Sequence, residues 1–187
     1  MKNIIIFASG SGSNAENIVR YFSSSKNVTI SYIVSNKKEA FVLKRAEMLN
    51  IKSLVFEKKD FYENDSVLNF LLAENPNLII LSGFLILMPP KIIDAFPKRI
   101  VNIHPALLPK YGGKGMYGNK VHEAVIYNKE KETGITIHYV NDKYDEGEII
   151  FQQKCIVDEN ETLLSLSEKI HALEYEFFPK VIGELAK

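Results

Sequence analysis

The stretch that decides the fold is IIIFASGSGSNAENIVRYF, residues 4–22. Its first four residues form an apolar run typical of a buried strand, and Ala15, Ile18 and Phe22 then recur at helical spacing. Between the two patterns lies GSGSN, residues 10–14. Glycines let the backbone approach a ligand closely, and the free N–H groups at a helix N-terminus attract anions. The stretch therefore predicts a strand, a tight turn and a helix, with a phosphate site at the turn.

The following part of the chain repeats this alternation of strand and helix. Further strands are predicted at residues 28–36, 52–56, 77–84 and 99–107, with helical patterns between them. The strand at 77–84 is too apolar to meet water on either face, which indicates a parallel sheet covered by helices on both sides. In the helix predicted between the second and third strands, the apolar residues expected to face inward are Phe41, Ala46 and Leu49.

The last third of the chain has a different pattern. Two strands at 133–141 and 147–157 are separated by the short acidic turn DKYDE and suit an antiparallel pair, and residues 161–187 predict a long helix with a kink near Pro179. The predicted fold is α/β, with residues 1–187 as one domain. Its sheet is open, twisted and mostly parallel, with helices on both faces and an antiparallel edge near the C-terminus.

Composition narrows the function classes. A chain of 187 residues, 46% of them hydrophobic, can bury a full core. Its 23 basic and 23 acidic residues balance, so no basic field favours nucleic acid or an anionic membrane, and a small-molecule partner is expected. No apolar stretch approaches the ~20 residues of a membrane span. The single Cys155 and the absence of a leader pattern in the first residues predict a cytoplasmic protein.

The glycine turn has two other interpretations. Gly10-x-Gly12-x-x-Ala15 formally matches the dinucleotide fingerprint. That fingerprint expects an acid about 20 residues later, at the tip of the second strand. The tip here carries Ser35 and Asn36 instead. A terminal phosphate is therefore favoured, with a dinucleotide and a purely structural turn as the alternatives.

The fifth predicted strand carries polar residues at its end. In VNIHPALLP, Asn102 and His104 are two residues apart and project to the same face of the strand. His104 could simply cap the strand end beside Pro105. However, ligands bind at the carboxyl ends of strands in open α/β sheets, and the pair offers a proton shuttle beside an amide donor. We therefore expect this pair to carry chemistry.

The acidic turn and the other histidines are less informative. A carboxylate from this turn would raise the pKa of His104 and orient its ring if the two met. His138 alternates with apolar residues, so it faces either the site or the opposite side of its strand. His122 is interpreted as a helix-surface residue. No spacing of His, Cys and acidic residues resembles a zinc site.

Four motifs together carry a family resemblance over nearly the whole chain. They are GSGSN at 10–14, SGFLILMPP at 82–90, NIHPALLP at 102–109 and ITIHYVNDKYDEGEII at 135–150. With these motifs the chain resembles the phosphoribosylglycinamide formyltransferases, a family of folate-dependent enzymes of de novo purine biosynthesis. The resemblance implies transfer of a formyl group from 10-formyltetrahydrofolate to the amine of 5-phosphoribosylglycinamide, without a metal.

The resemblance also implies roles for individual residues. Asn102, His104 and Asp145 match the catalytic trio of the family. The substrate phosphate would bind at Gly12, Ser13 and Asn14, and Glu174 matches an acid that holds the glycinamide side of the substrate. The residues matching those that bind the folate are Leu85, Ile86, Leu87, Met88 and Asn102.

Two family features differ in this sequence. The folate segment often contains an Arg and has none here, and a second family Arg is absent from FEKKDFYENDS, residues 56–66. The loop YGGKGMYG, residues 111–118, is longer than in many members. Methionyl-tRNA formyltransferases and formyltetrahydrofolate hydrolases share the catalytic trio but are normally longer, and they remain alternatives. A non-catalytic phosphate-binding module is a third.

Overall fold

The computed structural model describes residues Met1–Lys187 and contains one seven-stranded sheet. The strands are β1 (Lys2–Phe7), β2 (Val28–Ser35), β3 (Lys52–Val55), β4 (Leu78–Leu81), β5 (Ile100–His104), β6 (Glu132–Tyr139) and β7 (Ile149–Ile156). The helices are α1 (Ser13–Phe22), α2 (Phe41–Met48), α3 (Lys58–Tyr62), α4 (Ser66–Glu74), α5 (Pro90–Ala95), α6 (Asn119–Tyr127) and α7 (Leu163–Leu185). Only the short helix α3 was not predicted.

The strand order is β3-β2-β1-β4-β5-β6-β7. Strands β1 to β5 are parallel, whereas β6 is antiparallel to both β5 and β7. This confirms the prediction of an open, mostly parallel sheet with an antiparallel edge. The chain leaves β1 toward β2 on one side and returns to β4 on the other. A crevice for ligands therefore opens at the carboxyl ends of β1 and β4.

The apolar run that begins the chain is buried on both faces. Ile4 and Ile6 belong to a core of 26 buried residues on one side of the sheet, and Ile5 and Phe7 belong to a second core of 14 on the other. Successive strand residues point to opposite faces, so only a strand with helices on both sides can bury all four.

The helix that follows β2 differs from the prediction at one position. Val42 and Ala46 are buried and Leu49 is partly buried against the core. Phe41, expected to face inward, is 47% exposed, and its ring lies under the Arg45 guanidinium at 5.0 Å. The helix begins at Phe41, so the buried stripe starts one residue later, at Val42.

The C-terminal helix α7 packs against the first helix, α1. Helix α7 continues through Pro179, where a kink was expected, and buries Ile170, Glu174 and Phe178. It packs against α1, and the Asn17 side chain donates to the Tyr175 carbonyl oxygen at 2.9 Å. None of the helices has both the length and the apolar content that crossing a membrane demands.

Candidate active site

A cavity of about 590 Å³ lies at the carboxyl ends of β1, β4 and β5. Its lining comes from segments far apart in the sequence. They are the turn at residues 10–14, the segment 82–85, residues 102–105, the loop at 113–118, His122, residues 144–145, and the α7 residues Ile170, His171 and Glu174.

The glycine turn that follows β1 is held from two sides. Gly12 has a φ of 73°, and a Cβ atom there would lie 2.2 Å from Cγ2 of Val42. The Val42 N–H donates to the Gly10 carbonyl oxygen at 3.1 Å, and Arg45 Nε donates to the Ser11 carbonyl oxygen at 2.8 Å. The first N–H groups of α1 have no acceptor within the helix and remain available to an anion.

Glu174 lies beside this turn with little contact to water. It is 6% exposed, and Asn14 Nδ2 donates to Glu174 Oε2 at 2.8 Å. Burial raises the pKa of Glu174 to about 7, although the Asn14 hydrogen bond opposes the shift. The Asn14 Oδ1 atom is buried without a partner. The cavity therefore has an unsatisfied acceptor and a readily protonated carboxyl next to the turn.

Asn102 faces the cavity, and its amide is oriented by His138. The two residues pair across β5 and β6, and Asn102 Nδ2 lies 3.1 Å from His138 Nε2. His138 Nδ1 lies 2.8 Å from the Tyr139 carbonyl oxygen, which can only accept. The proton of neutral His138 is therefore on Nδ1, and Nε2 accepts from the amide. This decides the open question about His138, which points toward the site.

Asp145 meets both other members of the predicted trio. Its Oδ2 atom lies 3.5 Å from His104 Nδ1 and accepts from the Gly113 N–H at 2.9 Å. Its Oδ1 atom lies 3.4 Å from Asn102 Nδ2. The structure thus brings together Asn102, His104 and Asp145, which are separated by 43 residues at most.

The ring of His104 is buried between two acceptors. His104 Nε2 lies 2.8 Å from the Tyr111 carbonyl oxygen, and Asp145 lies on the Nδ1 side. Burial lowers the pKa of His104 below its usual value and outweighs Asp145 and Tyr111, which both raise it. Asp145 does raise the pKa of His104, as expected of a carboxylate that meets the ring, but burial has the larger effect because His104 is 3% exposed.

The pKa of Asp145 is also shifted. Burial alone would raise it, but His104 and the Gly113 N–H both lower it, and it lies below its ordinary value. Asp145 is therefore ionised at neutral pH. It can stabilise a proton that arrives on His104 Nδ1.

His122 is not a surface residue, as the sequence had suggested. It is 3% exposed, lines the cavity and has a pKa of about 4, lowered by burial and by the neighbouring His171 and His104. Its three-residue spacing from the buried Val125 places both on one face of α6. That spacing was the available signal.

The predicted folate segment contributes unequally to the cavity. Leu85 lines it and is 38% exposed. Ile86, Leu87 and Met88 do not line it. The Met88 side chain is 1% exposed within the smaller core, and the Leu87 carbonyl oxygen accepts from Tyr62 Oη at 2.7 Å. Side-chain contact between Met88 and a ligand in the cavity is therefore not supported.

Two further features complete the site. His171 lines the cavity, stacked on Tyr175 with their ring centroids 6.1 Å apart, and was not singled out from the sequence. Lys114 is the single Lys or Arg among the lining residues. No group of three or more His, Cys, Asp or Glu side chains is placed to hold a metal ion.

Comparison with known proteins gives a consistent family. The family model described as formyl transferase matches residues 2–182. The chain is 37% identical to phosphoribosylglycinamide formyltransferase of Bacillus subtilis, covering 99% of this chain and 95% of that protein. It is also 37% identical to the chloroplastic enzyme of Arabidopsis thaliana, of which it spans 66%.

Solved structures agree with these sequence matches. Glycinamide ribonucleotide transformylase 1 from Geobacillus kaustophilus superposes with a TM-score of 0.90 at 32% identity, covering 100% of both chains. Phosphoribosylglycinamide formyltransferase from Streptococcus pneumoniae gives a TM-score of 0.87 at 30% identity, again over 100% of both. The chain therefore belongs to the formyl transferase family, among the phosphoribosylglycinamide formyltransferases.

Proposed function

We propose that this chain transfers a formyl group from 10-formyltetrahydrofolate to the amine of 5-phosphoribosylglycinamide in de novo purine biosynthesis. One observation carries the proposal. Asn102, His104 and Asp145 converge at a cavity that also contains the glycine turn, so an acyl-transfer centre and an anion site share one space. A phosphate-binding module without activity would have no use for the trio.

The substrate phosphate would bind at Gly12, Ser13 and Asn14, on the free N–H groups of α1. Glu174, which matches the family acid on the glycinamide side, would contact the substrate next to this turn, since it hydrogen-bonds Asn14. The folate would lie along the segment 85–88 and beside Asn102. Leu85 and backbone groups suit a flat ring there better than the buried Met88 side chain does.

The reaction requires an oxyanion donor and a proton acceptor. The substrate amine attacks the formyl carbon, a C–N bond forms, and the carbonyl electrons move to oxygen. Asn102 Nδ2 can donate to this oxyanion once its long 3.4 Å contact with Asp145 is given up. Its other hydrogen stays on His138.

The amine proton can be held at His104 Nδ1, because Nε2 already donates to the Tyr111 carbonyl oxygen. The Asp145 carboxylate stabilises that proton. When the intermediate collapses, the C–N bond to the folate nitrogen breaks and that nitrogen takes a proton.

The experiment is incubation with both substrates while the absorbance of the folate product is followed. Formyl transfer to the glycinamide amine supports the proposal. Folate product formed equally without the amine would indicate a hydrolase. Binding of both ligands without turnover would indicate a non-catalytic module.

We further infer that residues 1–187 act as one formyltransferase domain on small-molecule substrates, with no nucleic-acid or membrane partner. The contact between α1 and α7 supports this, because it brings residues from the beginning and the end of the chain together at one site. Cytoplasmic location stays a prediction from composition.

A further inference from the structure

All four histidines of the chain lie at this site. His104 and His138 belong to the reaction centre, and His171 is an exposed ring at the cavity wall. His122 is different, since it is buried and the chemistry described above does not use it. His122 Nδ1 is enclosed without a hydrogen-bond partner, whereas Nε2 is not enclosed and forms no hydrogen bond within the chain.

Unsatisfied polar atoms concentrate at this cavity. Five buried side-chain polar atoms in the chain have no partner, and three of them, on Asn14, Ser82 and His122, belong to lining residues. Buried polar groups are normally paired, and an unpaired one at a cavity wall indicates a partner that the ligand supplies. In His122 only Nδ1 is in this condition, and Nε2 is unpaired but not enclosed.

The position of His122 indicates which part of the ligand it meets. It lies on α6, which packs against α7, and it lines the same cavity as His104 and the α7 residue His171. His171 and Glu174 continue the wall to Asn14 and the glycine turn. His122 thus lines the cavity that contains both the reaction centre and the phosphate turn, and the ribose of a phosphoribosyl substrate joins the groups that would bind at those two places.

The chemistry of the His122 ring indicates which group of the substrate it contacts. Burial and the two neighbouring histidines keep His122 uncharged at neutral pH, because its pKa is about 4. An uncharged imidazole donates from one nitrogen and accepts at the other, which suits a hydroxyl better than a phosphate dianion. The accessible nitrogen is Nε2, since Nδ1 is enclosed.

We propose that His122 determines specificity for the sugar, by a hydrogen bond between Nε2 and a ribose hydroxyl of the phosphoribosyl substrate. This inference rests on the proposed function. It assigns to His122 discrimination between ribose and deoxyribose substrates, and it assigns no role in the proton transfer.

The test compares the native substrate with its 2′-deoxy and 3′-deoxy analogues, by kcat/KM, in wild type and in His122→Phe. A polar site built for a hydroxyl rejects a ligand that lacks it. We expect the wild type to prefer the native substrate about tenfold or more over one analogue, and His122→Phe to prefer it less than about twofold. The KM for the folate should change less than about twofold.

Two conservative variants locate the contact on the ring. His122→Gln places an amide near the position of Nε2, and His122→Asn places one near Nδ1, so only His122→Gln should retain the preference. Glu123→Gln, an exposed change on the same helix, is the matched control and should behave as wild type. These variants also carry the test if His122→Phe fails to fold.

The inference would be overturned if folded His122→Phe kept the wild-type preference for the native substrate over the deoxy analogues. It would also be overturned if His122→Asn kept that preference and His122→Gln lost it. Equal losses on the native substrate and both analogues would overturn it as well. These outcomes leave the proposed function intact, provided that wild type turns over the native substrate. Failure of wild type to do so would overturn the proposed function and this inference with it.

Discussion

At the residue scale, one carboxylate holds the reaction centre together. Asp145 contacts the His104 ring, the Asn102 amide and the Gly113 N–H at the same time. Its backbone φ of 57° is uncommon outside glycine but is tolerated by aspartate, and it lies in the turn between β6 and β7. Asp142, three residues earlier, is exposed and has no ion pair or hydrogen bond through its side chain. The two acids of one turn are therefore not equivalent.

Replacing Asp145 should impair turnover far more than binding. Asp145→Asn keeps the shape and removes the charge that stabilises protonated His104, so we expect kcat to fall at least ~100-fold with KM values nearly unchanged. Asp142→Asn is the control and should retain most of the wild-type kcat. Steady-state kinetics with both substrates measure this. A severe loss in Asp142→Asn with an active Asp145→Asn would refute the assignment.

At the element scale, the glycine turn and α2 form one unit. Residues Val42 and Arg45 hydrogen-bond the carbonyl oxygens of Gly10 and Ser11, and Val42 occupies the space that a side chain at Gly12 would need. The sequence predicts the turn itself. It does not reveal that α2 contacts the turn, because that contact joins residues about 30 positions apart. A bulky substitution at Gly12 would therefore damage the fold as well as the ligand site.

Two substitutions in this turn should separate folding from phosphate binding. Gly12→Ala adds a Cβ atom 2.2 Å from Val42 at a positive φ, so we expect a lower melting temperature and weaker binding of both substrates. Ser13→Ala leaves the backbone intact and should weaken only the phosphorylated substrate, by about threefold to tenfold. Calorimetric titration and thermal melting distinguish the two. Equal weakening of both substrates by Ser13→Ala would contradict a local phosphate site.

The connection after β3 lacks the family Arg, and this should affect folate binding. Lys59 there is 3.2 Å from Glu57, so its charge is partly neutralised. With few cations near the cavity, the affinity for the folate should depend weakly on salt, falling less than about threefold between 20 and 200 mM NaCl, an order-of-magnitude expectation for a few screened contacts. A steep fall would show that cations such as Lys58 or Lys114 bind the glutamate tail. Removing the charge of each in turn, with Lys58→Gln and Lys114→Gln, would identify which.

At the scale of the whole molecule, the sequence predicts the strands and helices, whereas contacts between distant residues become visible only in the folded structure. The mostly parallel sheet follows from apolar runs that alternate with helical patterns, and the expectation that Asn102 and His104 lie at the site follows from their place at a strand end. Glu174 and Asn14 are 160 residues apart, and their contact requires α7 to return onto α1. The burial of His122 was misjudged for the same reason. The environment of a side chain depends on elements that pack against it from elsewhere in the chain.

Those long-range contacts give the molecule two opposed responses to pH. The folded pKa of Glu174 is about 7 against an ordinary 4.5, so the folded state binds the proton more tightly and stability falls as pH rises through this window. The folded pKa of His122 is about 4 against 6.5, so the unfolded state binds the proton more tightly and stability rises with pH. Between pH 5 and 7 each contributes about 2 kcal/mol, in opposite directions.

Removing one group should therefore expose the effect of the other. We expect Glu174→Gln to raise the difference between the melting temperatures at pH 7 and pH 5 by roughly 5 °C relative to wild type, because about 2 kcal/mol is spread over a domain of this size. His122→Gln should lower the same difference by a similar amount. Each variant serves as the control for the other, since groups that titrate elsewhere are common to both. Calorimetric melting at pH 5 and pH 7 measures this difference in melting temperature. The same difference in wild type and both variants would contradict the shifted pKa values of Glu174 and His122.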